Sequence, residues 1–130
     1  MQSISKSKID LMWLEKITEL GCIVSIDNQK VLPWGGMLVE RHHINGKVKA
    51  GSHLMTIPLA PSLHNYMFKG SLHHNKAAFI KSYGTERELW HKTLALVFPE
   101  SIPPEFVARL SAHRYSEKFL DLDLYESFKV

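Results

Sequence analysis

Apolar residues recur at helical spacing near the start of the chain. Ile9, Trp13, Ile17 and Leu20 stand three or four apart and form one stripe of a helix. Ser7 followed three positions later by Asp10 is a capping signal, and Gly21 is a stop. The pattern predicts an amphipathic helix over residues 7–20, with Trp13 in the core. Cys22 to Ile26 is short and β-branched, which predicts a strand or extended segment. Asn28, Pro33, Gly35 and Gly36 predict a loop over residues 27–36. Met37 to Ile44 predicts a strand that carries His42 and His43 near its end. Asn45-Gly46 signals a hairpin turn. Gly46 to Ser52 is polar and basic and predicts an exposed loop. Met55 to Leu59 predicts the return strand, with Pro58 confining it to an edge or an end.

The remainder reads as helical. Pro61 suits a helix start, so Ser62 to Phe68 predicts a short helix carrying His64. Gly70 interrupts it, and a second helix is expected over Ser71 to Ser82. Tyr83-Gly84-Thr85 combines a stop with a new cap. Thr85 to Phe98 predicts a helix with Leu89, Trp90, Leu94, Leu96 and Val97 as its apolar positions, closed by Pro99. Pro103-Pro104 opens another, which runs to about Lys118 through Phe106, Val107 and Leu110. The last residues, LDLDLYESFKV, alternate apolar and acidic and predict an edge strand or a docked extension. The expected fold class is α+β: a β-hairpin and helix core among α-helices. Residues 1–98 form the main unit, and 99–130 are a helical extension packed on the same domain.

Composition narrows the functional classes. With 45% hydrophobic and 22% charged residues in 130, a folded domain is expected. No run of eighteen apolar residues occurs, which excludes a membrane-spanning helix. The start MQSISKSKID lacks an apolar stretch with a cleavage site, so no signal peptide is expected and a cytoplasmic location fits. The single cysteine, Cys22, excludes an internal disulfide and a zinc site built from several cysteines. The net charge of +3 is uneven: residues 1–83 carry ten Lys/Arg against five Asp/Glu, and residues 84–130 six against eight. Six of the eight histidines fall in residues 42–74, where even spreading would place about two. They are His42, His43, His53, His64, His73 and His74. His91 and His113 read as ordinary helix residues.

Imidazole is the commonest metal ligand, and the basic residues around this window suit a polyanion. A hairpin bearing His-His followed by a helix bearing another histidine could hold a divalent ion that polarises a phosphate, with a neutral histidine taking a proton from water. Two geometric conditions attach. Adjacent strand residues face opposite sides, so His42 and His43 can share a site only near a strand end or irregularity. His64 and His73 are nine apart, so one continuous helix would point them oppositely, and the chain must break between them.

Several anchors occur in order: Leu20-Gly21-Cys22-Ile23-Val24, Glu40-Arg41-His42-His43-Ile44, Gly51-Ser52-His53, Thr56-Ile57-Pro58-Leu59, His64, His73 and Tyr83-Gly84-Thr85-Glu86. Together they resemble the HNH (ββα-metal) endonucleases, most closely the recombination-enhancement, RecA-dependent nucleases of phages, over roughly residues 6–97. The resemblance implies a ββα-metal core and a metal-dependent DNA endonuclease. His43 would be the general base, and His42, His64 and His73 would hold one divalent ion (Mg²⁺, Mn²⁺ or Zn²⁺). His73 is preferred over His74 because it keeps the family's spacing to the Tyr-Gly-Thr-Glu anchor. Arg41, Lys47, Lys49 and His53 are candidate DNA contacts, with orienting the site as the alternative role for His53. DNA is the implied partner, with a RecA-type recombinase filament as a further one, in the cytoplasm of a bacterial or phage-infected cell. The chain departs from the family in three places. Cys22-Ile23-Val24-Ser25 and Ala60 stand where the family has the cysteines of a structural zinc site, so that zinc is expected to be absent and Cys22 to be a small core residue. Met55 stands near the position of the HNH asparagine. Only about six residues precede the first helix, where RecA-dependent members carry a basic arm. These departures leave two alternatives: a non-cutting HNH-fold module that binds nucleic acid or a protein, and a metal-binding regulatory domain.

Overall fold

The computed structural model describes residues 6–28, 39–44, 51–65 and 67–129. Helix α1 (Lys8–Leu20) opens with a reciprocal cap: the Ser7 hydroxyl accepts from the Asp10 N–H, and the Asp10 carboxylate accepts from the Ser7 N–H. Its Trp13, Leu14 and Ile17 are buried. The chain then turns at Gly21, and Ile23–Asn28 forms helix α2 where a strand was predicted. β-Branched composition favours extended backbone only weakly, and here packing decides. One helical turn lets consecutive Cys22, Ile23 and Val24 all enter the core, which an alternating strand would not.

Strand β1 (Glu40–His43) pairs antiparallel with β2 (Thr56–Leu59) in a two-stranded sheet. The register sets Glu40 opposite Leu59, His42 opposite Ile57 and His43 opposite Thr56. Every β2 residue is buried, and α1 and the later α5 both pack on this strand. Two indoles fix its position. Trp13 Nε1–H donates to the Thr56 carbonyl at 3.2 Å, and Trp90 Nε1–H donates to the Leu54 carbonyl at 2.7 Å. The predicted turn at Asn45-Gly46 lies outside the described residues. Of the predicted exposed loop, Gly51 and Ser52 are buried. Gly51 has φ +80°, and a Cβ there would stand 3.2 Å from the Arg109 carbonyl and from Ser116, so this turn closes against the C-terminal segment.

Helix α3 (Pro61–His64) is shorter than predicted, and α4 (Lys76–Tyr83) starts later, capped by the Asn75 side chain. Between them the chain makes turns. Helix α5 (Glu86–Val97) carries a second reciprocal cap, Thr85 with Glu88, and buries Leu89, Trp90 and Leu94. The predicted helix from Pro103 to Lys118 is two: α6 (Pro104–Leu110) and α7 (Arg114–Phe119), the latter capped by His113 Nδ1, which accepts from the Tyr115 N–H. Of the two expectations for the C-terminal tail, the docked extension holds: it is helix α8 (Leu122–Phe128), capped by Asp121, with Tyr125 and Phe128 turned inward. Phe106, Leu110 and Tyr125 share one apolar core with Trp13, Ile57 and Trp90. The architecture is mixed α+β, mostly helical. Among the described residues no helix is long and apolar enough to cross a membrane.

Candidate metal centre

Three ring nitrogens converge where β1, α3 and the following turn meet. His42 Nδ1 lies 3.2 Å from His64 Nε2, and His73 Nε2 lies 3.0 Å from the same His64 atom. One ligand atom from each residue falls within 4.8 Å of the other two. The local chain path explains the meeting. Helix α3 ends at His64, so nine residues no longer mean two and a half turns. The Leu72 N–H then donates to the Leu63 carbonyl at 2.7 Å, which sets the next residues, His73 and His64, side by side. The Ser71 hydroxyl, donating to the Asn65 carbonyl at 2.6 Å, and Gly70 at φ +81° complete the reversal. His74 takes no part; its Nδ1 accepts from the Gly70 N–H.

Two carboxylates hold the outer edges of these rings. His42 Nε2–H donates to Glu86 Oε2 at 2.6 Å, and His64 Nδ1–H donates to Glu40 Oε1 at 2.8 Å. A carboxylate can only accept, so each contact fixes the neutral ring's tautomer and leaves the opposite nitrogen with a lone pair. Those nitrogens are His42 Nδ1 and His64 Nε2, which face each other at 3.2 Å. Two lone pairs aimed at one point cannot hydrogen-bond to each other. They suit a shared cation: ligands bound at about 2.0–2.1 Å in a tetrahedron lie about 3.3 Å apart. The donor set fits a divalent metal, and nitrogen donors favour zinc or another transition ion over magnesium.

Glu86 is itself pinned. Its second oxygen meets the Lys76 ammonium at 2.7 Å. Burial alone would push this carboxyl up, but the hydrogen bonds from His42 and Lys76 overcome it and hold the group below the usual carboxylate range. Neither Glu40 nor Glu86 is a sequence-predicted site residue. Glu40 is two positions from His42 on one strand and so shares its face. Glu86 stands in the first turn of a capped helix.

The remaining predicted residues separate. His43 is the last residue of β1, and its Nε2 lies 3.1 Å from His53 Nδ1, with the rings nearly perpendicular. Its ring contact is thus with His53, whereas Glu40 and His42, alternate residues of β1, both meet His64. His53 is 1% exposed and sits against His43. Arg41 is exposed and donates Nε–H to the Thr18 hydroxyl at 3.0 Å. Lys47 and Lys49 lie outside the described residues. Cys22 is a free, buried core residue. Comparison of the chain with family models, curated proteins and solved structures returns no match.

Proposed function

We propose that this chain is a metal-dependent DNA endonuclease of the HNH type, with His42, His64 and His73 as the ligands of one divalent ion. The observation that carries the reading is the pair of carboxylate-fixed imidazoles that turn lone pairs toward one point beside a third histidine. Strand β1 supplies His42, helix α3 supplies His64, and the turn that follows α3 supplies His73. The bound ion would supply Lewis-acid polarisation of the scissile phosphate and charge stabilisation of the leaving oxygen. The protein's own groups do the rest. Glu40 and Glu86 orient the rings. His43, at the end of β1, takes the proton from the attacking water, and His53 holds the His43 ring in one orientation. Arg41 meets the phosphate backbone, with Lys47 and Lys49 as further contacts.

The test is a nicking assay on supercoiled and single-stranded DNA with Zn²⁺, Mn²⁺ or Mg²⁺ added, run beside calorimetric metal titration. Wild type should bind one transition ion and cut, and His64→Ala should do neither. Metal-loaded wild type that never cuts would reject the nuclease reading. Met55, standing near the position of the HNH asparagine, favours a second reading, a non-cutting module that binds nucleic acid or a protein. His43→Ala separates the two: an enzyme loses cleavage and keeps DNA binding, whereas a binder has no cleavage to lose.

A further inference from the structure

Next along α5 from Glu86, Arg87 enters a surface hollow of about 310 Å³ whose other walls are Tyr115, Lys118 and Phe119. The hollow is rigidly built. Arg87 donates Nε–H to the Phe119 carbonyl at 2.8 Å and a second N–H to the Lys118 carbonyl at 3.1 Å, and its guanidinium stands 5.6 Å from the Phe119 ring centre. Phe119 is braced from behind by Trp90 at 5.3 Å and His91 at 6.3 Å. The Tyr115 ring lies 6.0 Å from Phe119 at an inclination of 34° and is 46% exposed. Arg87 directly follows Glu86 in α5, so the hollow lies one residue along the helix from the carboxylate that holds His42.

Among the described residues the lining is cationic or aromatic, and none of it is a carboxylate. An aliphatic partner would find too much charge there, and a small inorganic anion would have no use for the rings. Flat aromatic faces beside cations suit a nucleobase joined to its phosphate. A base paired inside a duplex hides its faces in the stack, so the fit is to an unpaired one. We infer that the hollow is a subsite for an unpaired nucleotide of a DNA strand, its base against Tyr115. The inference rests on the nuclease reading and deepens it by naming the substrate class as single-stranded DNA.

The experiment is fluorescence anisotropy on the full chain in chelator, where no metal is bound. The probes are a labelled strand of about ten thymidines and a hairpin duplex. Tyr115→Ala should weaken binding of the single strand by about tenfold. Tyr115→Phe, which keeps the ring, should stay within about twofold of wild type, and duplex binding should barely change in either. Unfolding midpoints of both variants control for folding. Unchanged single-strand affinity in Tyr115→Ala, or an equal loss on single strand and duplex, overturns the subsite. The two readings fail separately. Cleavage with unaltered Tyr115→Ala binding removes the subsite alone, and ring-dependent binding without cleavage removes the nuclease alone.

Discussion

The His42 ring is held by Glu86: Nε2–H to carboxylate at 2.6 Å, with the other carboxylate oxygen on Lys76. The contact selects which His42 nitrogen carries the proton and so which one is offered to a metal. Glu86→Gln keeps the size and an acceptor oxygen but removes the charge. Outer carboxylates of this kind are worth about ten- to hundredfold in metal affinity. Zinc titration by calorimetry should show a loss in that range with unchanged circular dichroism. Wild-type affinity in Glu86→Gln would show that the carboxylate does not tune the site.

Asp10 is fully buried, so its partners decide its cost. Arg109 of α6 reaches both oxygens, at 3.3 and 3.0 Å, while the Ser7 N–H donates to one of them. Arg109→Met keeps the aliphatic stem and strands the carboxylate. Loss of one partner from a buried pair should cost about 2–4 kcal/mol, read as a lower urea midpoint. Asp10→Asn in the same background should recover part of the loss, since a neutral amide needs no counter-ion; no recovery would mean the charge is not the cause.

His91 gives the fold an acid-sensitive tie. Its Nδ1–H donates to the Arg87 carbonyl at 2.7 Å, and its Nε2 accepts from the Asp121 N–H at 3.0 Å. Burial lowers its pKa below the usual histidine value. The Arg87 carbonyl opposes that shift, the Arg87 cation adds to it, and the Asp121 carboxylate opposes it again. The folded protein thus keeps neutral a ring that the unfolded chain would already protonate. The stability is complete above the ordinary histidine pKa of about 6.5 and is lost as pH falls through the lower folded value. Urea unfolding across this range should show wild type weakening with acid, and His91→Gln should start lower and change less. Parallel profiles would mean that other groups carry the pH dependence.

Gly51 stands at positive φ with the Arg109 carbonyl and Ser116 at 3.2 Å from any added Cβ. Gly51→Ala combines backbone strain with overpacking and should destabilise by about 1–3 kcal/mol. Gly70→Ala meets open space and should cost only the backbone term. Equal midpoints for the two variants in thermal denaturation would contradict the close approach at Gly51.

Much of the fold is legible where its causes are local. The two reciprocal caps, Ser7 with Asp10 and Thr85 with Glu88, need only a spacing of three, and both helices begin where that spacing predicts. The strand pair that carries His42 and His43 follows from two short extended segments, Met37 to Ile44 and Met55 to Leu59. The failures are tertiary. Ile23 and Val24 favour a strand in isolation and become helical because the core takes both. The alternating tail left a strand and a docked extension both open, and the docked form, a helix capped by Asp121, buries Tyr125. Pro103 to Lys118 splits at His113, an unusual cap. For the site, the histidine cluster marks His42, His64 and His73. The condition that the chain break between His64 and His73 is visible in advance, though the break starts at Asn65, before Gly70. Glu86, 44 residues beyond His42, becomes legible as a partner only once the chain has folded.

Asp10 and Arg109 are separated by 99 residues of chain. On a ribosome, α1 emerges early with a carboxylate that has no buried counter-ion until α6 follows it out. Gly51 waits too, because the turn it makes closes on the Arg109 carbonyl. The order of synthesis therefore differs from the order of completion: the first helix and the hairpin that carries His42 reach their final packing only when the last quarter of the chain arrives.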